Sequence, residues 1–134
     1  MPKPTVLVIE DDDHQRLLYE EELKWAGYQV VTAKSGQEGL QALQDQPVDL
    51  VLLDVAMPGM DGIETLGKIL DHDNRMPVIL NTAYSSYKDD FMTWAAEAYV
   101  IKSHDLTELR RTICEVLEKR GLEPPPEPCA DSGG

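Results

Sequence analysis

Val48-Asp49-Leu50-Val51-Leu52-Leu53-Asp54 runs directly into Val55-Ala56-Met57-Pro58-Gly59-Met60-Asp61-Gly62, and the fold is decided by how this stretch is read. Leu50 to Leu53 is apolar without alternation, the pattern of a central strand in a parallel sheet covered on both faces. The run ends on one carboxylate, Asp54, and Pro58-Gly59 then breaks the chain. Asp61 has the chemistry of an N-cap, with Glu64 three residues on, so Asp61-Gly62-Ile63-Glu64 opens a helix to about Leu70. Ligands of parallel α/β sheets bind at the carboxyl ends of the strands. An isolated Asp there usually does no more than end a strand, so the residues gathered at the same edge decide its meaning.

Outward from this centre the same unit recurs. Thr5 to Ile9 is a buried-type strand that ends in Glu10-Asp11-Asp12-Asp13. Asp12 or Asp13 caps a helix from about His14 to Ala26, with an inward stripe of Tyr19, Leu23 and Ala26, and Leu18 beside it. Gly27 stops that helix. Tyr28 to Ala33 is a second strand, and Ser35-Gly36-Gln37-Glu38 has capping-box spacing for a helix to about Gln44. The helix after Asp61 buries Ile63, Leu66, Ile69 and Leu70. Pro77 to Thr82 is a fourth strand, followed by a helix from about Tyr87 to Ala96. Ala98 to Ile101 is a fifth, ending on Lys102. Asp105-Leu106-Thr107-Glu108 opens the last helix, whose stripe is Leu106, Leu109, Ile113, Val116 and Leu117. Five βα units in succession predict an α/β domain with a doubly wound parallel sheet and helices on both faces. The predicted domain covers residues 1–121, and the Pro-, Gly- and acid-rich 122–134 is a disordered tail or linker stub.

Composition narrows the function classes. The chain has 134 residues, 42% hydrophobic and 28% charged, the make-up of one soluble domain. A net charge of −13 and a pI near 4.4 argue against nucleic acid or an anionic membrane as a direct partner. No apolar run reaches the ~18 residues of a membrane span. Met1-Pro2-Lys3-Pro4 leads straight into a strand, without the pattern of a signal peptide. Cys114 and Cys129 suggest neither a disulfide framework nor a metal spacing, and the expected compartment is the reducing cytoplasm. His14, His72 and His104 lack ligand spacing.

The predicted strand ends carry the chemistry. Glu10 and Asp11 follow the first strand, Asp54 the third, Thr82 the fourth and Lys102 the fifth. In the flavodoxin-like order 2-1-3-4-5 the first and third strands flank the switch point, which brings Glu10, Asp11 and Asp54 into one crevice. Carboxylates that close repel one another. A divalent cation offsets the repulsion, and Mg²⁺ suits a site with oxygen ligands and few carboxylates. Lys102 adds a point cation and Thr82 a hydroxyl donor. Together they suit transfer of a phosphoryl group to the Asp54 carboxylate.

These motifs resemble the receiver domain of two-component response regulators. The resemblance rests on Glu10-Asp11, on Asp54 through Met57-Pro58-Gly59-Met60-Asp61-Gly62, on Asn81-Thr82-Ala83, and on Tyr99-Val100-Ile101-Lys102, and it covers about residues 4 to 120. It implies the strand order above, with Asp54 as phosphoacceptor and Asp11 as a direct Mg²⁺ ligand. Glu10 would hold the metal through water, and the Ala56 carbonyl would supply a further oxygen. Thr82 and Lys102 would contact the phosphoryl oxygens, and Thr82 and Tyr99 would form the switch. The interval from Asp11 to Arg16 matches the family's spacing from ligand to arginine, which assigns Asp11 rather than Asp12. The implied partners are a sensor histidine kinase or phosphotransfer protein and a downstream partner. That partner would meet a face built from the Tyr87–Ala96 helix, the fifth strand and the last helix. The resemblance implies a self-phosphorylating switch rather than an enzyme.

The sequence departs from the family at Ser103, where a proline usually follows the lysine, so a trans bond is expected there. Ala56 and Tyr84 offer no group to orient an attacking water, which predicts slow loss of the phosphoryl group. Three rivals stand beside this reading. An aspartyl-phosphate hydrolase would want a second Asp where Ala56 stands. A flavin carrier would want a Ser/Thr/Gly-rich loop where Glu10 to Asp13 stand. A receiver-like module that binds partners without phosphorylation is disfavoured by the complete Asp, Thr and Lys set, although Ser103 leaves it open.

Overall fold

The strand runs pair as their apolar patterns require. The computed structural model describes residues 4–54, 62–82, 97–101 and 106–121. Its elements are β1 (Thr5–Ile9), α1 (Asp13–Trp25), β2 (Gln29–Ala33), α2 (Gly36–Asp45), β3 (Leu50–Asp54), α3 (Gly62–His72), β4 (Val78–Thr82), β5 (Ala98–Ile101) and α4 (Thr107–Lys119). All pairings are parallel, and the sheet order is β2-β1-β3-β4-β5. The predicted strand order and fold class are those observed. The predicted Tyr87–Ala96 helix, the Asp61 cap, the Lys102–Ser103 bond and the tail from residue 122 lie outside the described residues.

The two-residue period of the strands divides the core into two layers. Val6, Val8, Leu50, Leu52, Ile79 and Val100 face one side, where Tyr19 and Leu23 of α1 and Leu109, Ile113 and Leu117 of α4 cover them. Leu7, Ile9, Val51, Leu53, Val78 and Leu80 face the other, under Leu43 of α2 and Leu66 and Ile69 of α3. Strands between two helical layers can present no polar face, which is why β1 and β3 read as unbroken apolar runs. Each fully buried Leu or Ile contributes ~1.5–3 kcal/mol.

Register is set at the amino edge of the sheet. The Thr5 N–H donates to Asp49 Oδ2 at 2.8 Å, and the Asp49 N–H donates to the Thr5 carbonyl at 2.8 Å. This reciprocal pair locks Val6 opposite Leu50 and carries Ile9 opposite Leu53. One step further, Glu10 stands level with Asp54. At the same end of the molecule Arg120 donates to the Arg75 carbonyl at 2.6 Å and pairs with Glu97 at 2.5 Å, tying the end of α4 to the segments that enter β4 and β5.

The helix ends follow local chemistry. Asp12 caps α1 by accepting from the Gln15 N–H at 3.0 Å, and Ser35 caps α2 by accepting from the Glu38 N–H at 3.1 Å. The Glu38 carboxylate reaches back to the Lys34 N–H, one residue before the cap. Gly27, at φ 106°, closes α1: its N–H donates to the Lys24 carbonyl and the Tyr28 N–H to that of Leu23, both at 3.0 Å. This is a Schellman stop, and the left-handed backbone is where a glycine costs nothing. Leu18, beside the inward stripe of α1, is 48% exposed, and Cys114, absent from the predicted stripe of α4, joins its buried face.

Candidate functional site

β1 and β3 end side by side at the centre of the sheet, where the strand order reverses direction. The register delivers Glu10 and Asp54 to the same level, and Asp11 is the next residue along. Oxygen atoms of the Glu10, Asp11 and Asp54 carboxylates all lie within 4.8 Å of one another. Glu10 and Asp54 are buried, at 2% and 5% exposure, while Asp11 is open to solvent. The apolar run thus ends by presenting buried carboxylates to an accessible third one.

The backbone around these groups is held firmly. The Glu10 N–H extends the β1–β2 ladder by donating to the Ala33 carbonyl at 3.0 Å. The Glu10 carbonyl accepts from Arg16 Nη1 at 3.0 Å, and Glu10 Oε2 accepts from the Asp12 N–H at 3.3 Å. Arg16 also pairs with Asp13. Asp12 and Asp13 therefore stand apart from the cluster, one as helix cap and one as a surface partner of Arg16.

The remaining sequence-predicted residues are placed less completely. Thr82 ends β4 with its Cα paired to Ile101, the last residue of β5. Tyr99 pairs with Leu80 across β4 and β5. Thr82 and Tyr99 are described through their backbone alone, and Ala56 and Lys102 lie outside the described residues. The sequence motifs contained two further residues at this edge without assigning either a contact. Asn81, quoted in the Asn81-Thr82-Ala83 motif, is 3% exposed and pairs in register with Asp54. Arg16, whose spacing from Asp11 set the ligand register, donates to the Glu10 carbonyl, a contact that the spacing alone did not signal.

The donor set decides what the cluster can hold. At such separations the two buried carboxylates, Glu10 and Asp54, repel when ionised by on the order of 3–4 kcal/mol at an effective dielectric near 20, while solvent screens the share of exposed Asp11. Three carboxylates without nitrogen or sulfur suit a hard divalent cation such as Mg²⁺, which takes one or two carboxylates and keeps several waters. The residues present therefore fit such an ion. Among the described residues no helix is long and apolar enough to cross a membrane.

Comparisons with known proteins agree with this geometry. The family model described as the response regulator receiver domain matches residues 6–114. The transcriptional regulatory protein AfsQ1 of Streptomyces coelicolor is 42% identical over 118 residues, covering 87% of this chain and 52% of that protein. The uncharacterized transcriptional regulatory protein YkoG of Bacillus subtilis is 36% identical over 125 residues, covering 92% of this chain and 55% of its own length. The chain thus spans about half the length of these relatives. The response regulator protein TrrA of Thermotoga maritima, solved in complex with Mg²⁺-BeF, is 39% identical with a TM-score of 0.82, covering 85% of this chain and 99% of its own. TrrA has also been solved in complex with the histidine kinase ThkA, with a TM-score of 0.80 to this chain, at 39% identity, covering 85% of this chain and 98% of its own.

Proposed function

The chain belongs to the response regulator receiver domain family, and from that premise we propose that it is a phosphoacceptor switch in which Asp54 takes a phosphoryl group from a histidine kinase or phosphotransfer protein. The observation that carries this reading is the convergence of the Glu10, Asp11 and Asp54 carboxylates at the β1–β3 switch point. It is supported by the likeness to TrrA, whose structures hold Mg²⁺-BeF in one case and a histidine kinase in the other.

In this proposal Asp11 and Asp54 bind Mg²⁺ directly, Glu10 holds it through water, and the Ala56 carbonyl supplies a further oxygen. Bound Mg²⁺ supplies positive charge that offsets the carboxylates and the oxygens of the arriving phosphoryl group. An Asp54 carboxylate oxygen attacks phosphorus, the bond from phosphorus to the donor imidazole breaks, and the imidazole leaves with its electron pair. Burial of Asp54 restricts its approach to the open side of the site, where Asp11 lies. Thr82 and Lys102 receive the phosphoryl oxygens, since β4 and β5 both end at this edge. The added charge, about −1.5 to −2, and three acceptor oxygens draw Thr82 toward the site. Tyr99 follows on the adjacent strand, and the partner-binding face beyond it changes. The domain is thus a self-phosphorylating switch rather than a turnover enzyme, formed by residues 1–121 with 122–134 as tail or linker.

The test is intact-mass analysis after incubation with Mg²⁺ and acetyl phosphate or phosphoramidate. One phosphoryl group should be gained, be released by hydroxylamine, and be absent in Asp54→Asn. Labelling at another residue, or none with any donor, would overturn the reading.

A further inference from the structure

We propose that Arg16 is a positioning residue for the cation site, acting through the peptide that joins Glu10 to Asp11; this rests on the reading of Glu10, Asp11 and Asp54 as the ligands of a divalent cation. The Glu10 carbonyl oxygen, which accepts from Arg16 Nη1 at 3.0 Å, lies in the same rigid plane as the Asp11 nitrogen. A donor that fixes this oxygen fixes the plane from which the Asp11 Cα projects. The preceding peptide is fixed independently, by the Glu10 N–H on the Ala33 carbonyl at 3.0 Å. The following residue is fixed as the cap of α1, with its own N–H on Glu10 Oε2 at 3.3 Å. Asp11 is exposed and has no core packing to orient it. Its direction is therefore inherited from its neighbours, and Arg16 supplies the constraint on the peptide immediately before it.

The placement of Arg16 argues that this contact is more than a surface ion pair. Side chains on a helix lean toward its N-terminus, which lets a residue in the first turns of α1 reach back over the β1–α1 loop. A cation near a helix N-terminus opposes the macrodipole, so its position there needs compensation. The Glu10 carbonyl and the Asp13 carboxylate provide it, and the guanidinium engages both with its planar fork. The Arg16 side chain is only 20% exposed while that of Asp13 is 81% exposed, so the buried partner that gains from the contact is the loop peptide.

Charge and position predict opposite signs. If Arg16 acted by charge alone, its removal would tighten cation binding, because a positive group beside the site repels an arriving cation. If Arg16 positions Asp11, its removal loosens a ligand and weakens binding. Calorimetric titration of the whole chain with Mg²⁺, and with Mn²⁺ as a second probe, separates the two. Arg16→Gln should weaken Mg²⁺ binding by roughly tenfold, the low end of what losing an orienting partner of a ligand costs. Arg16→Lys keeps the charge and one donor without the fork, so it should bind about threefold more weakly than the parent and more tightly than Arg16→Gln. Unchanged or tighter binding by Arg16→Gln would overturn the proposal. Should that variant not fold, Arg16→Lys decides alone, with parental affinity overturning it. Asp54→Asn is the control for the underlying reading. If it also binds Mg²⁺ as tightly as the parent, the ligand assignment has failed rather than the role of Arg16.

Discussion

A Cβ placed on Gly39 of α2 would stand 2.3 Å from Ile9 Cδ1 and 2.8 Å from Ile9 Cγ1, so any side chain there would force Ile9 or the helix to shift. Ile9 is buried and directly precedes Glu10, which makes this contact part of the floor beneath the carboxylate cluster. Alanine would add up to ~1 kcal/mol of helix propensity. Overpacking against a fixed strand costs ~1–3 kcal/mol, and the strand is fixed here by neighbours on both sides. Gly39→Ala should therefore lower the urea midpoint without changing the slope. Ile9→Val removes the nearer of the two clashing atoms. In the double variant the losses should fall short of their sum, and strict additivity would show that the contact is not the cause.

Gly67 of α3 provides the opposite case. A Cβ there meets nothing within 4 Å, and its φ is not positive. Gly67→Ala should stabilise by ~0.4–1 kcal/mol through the unfolded chain and helix propensity. A rise in melting temperature is the expected observation, and a fall would mean that α3 needs a small residue for a contact beyond the described residues.

The fold was legible because its parallel strands are buried on both faces. Leu50–Leu53 and Val6–Ile9 could not alternate, and unbroken runs are visible in a sequence. Gly27 was legible as a helix stop because the left-handed position restricts its occupant. Strand-end carboxylates were legible because little else explains Glu10, Asp11 and Asp54 in one topology. What stayed hidden depends on contacts between distant residues. The Asp49–Thr5 pair spans 44 residues and sets the register that aligns Glu10 with Asp54. The Gly39–Ile9 approach depends on the height of a helix over a strand, which no local pattern encodes. The burial of Cys114 was missed because it neighbours Ile113 on α4, where a small rotation of the helix decides exposure.

Tyr28 couples stability to alkaline pH. Burial, with the Glu118 carboxylate adding to it, pushes its phenol up from 10.0 to about 12. Above pH 10 the unfolded chain gives up this proton while the folded chain retains it, so stability falls as pH rises. The contribution is whole below pH 10 and is lost between there and about 12, roughly 3 kcal/mol in total. Urea midpoints of the parent and Tyr28→Phe, compared from about pH 9 to 11, isolate it, because the lysines and other tyrosines titrate in both proteins. The parent should lose ground to the variant as pH rises, and parallel curves would remove Tyr28 as the source.

Asp11 and Asp12 are adjacent acids with opposite consequences, and their substitutions should separate cleanly. Asp12 accepts from the Gln15 N–H at 3.0 Å as the cap of α1, and its link to Glu10 runs through its backbone N–H rather than its carboxylate. Asp12→Ala should therefore cost ~0.5–2 kcal/mol of stability while leaving Mg²⁺ binding and phosphoryl acceptance close to the parent. Asp11 places its carboxylate with those of Glu10 and Asp54, within 4.8 Å. Without a cation its charge is a liability, and exposure screens that liability to about 1 kcal/mol. Asp11→Asn should then raise the unfolding midpoint slightly in the presence of a chelator, yet weaken Mg²⁺ binding and phosphoryl acceptance together, because it removes a charged oxygen ligand. Added Mg²⁺ stabilises only the form that binds it, so the parent and Asp12→Ala should gain in melting temperature with metal while Asp11→Asn gains much less. Thermal melts with and without Mg²⁺, alongside intact-mass labelling, read all of these at once. If Asp12→Ala lost the metal response and Asp11→Asn kept it, the ligand would be Asp12 and the assignment at the end of β1 would be wrong by one residue.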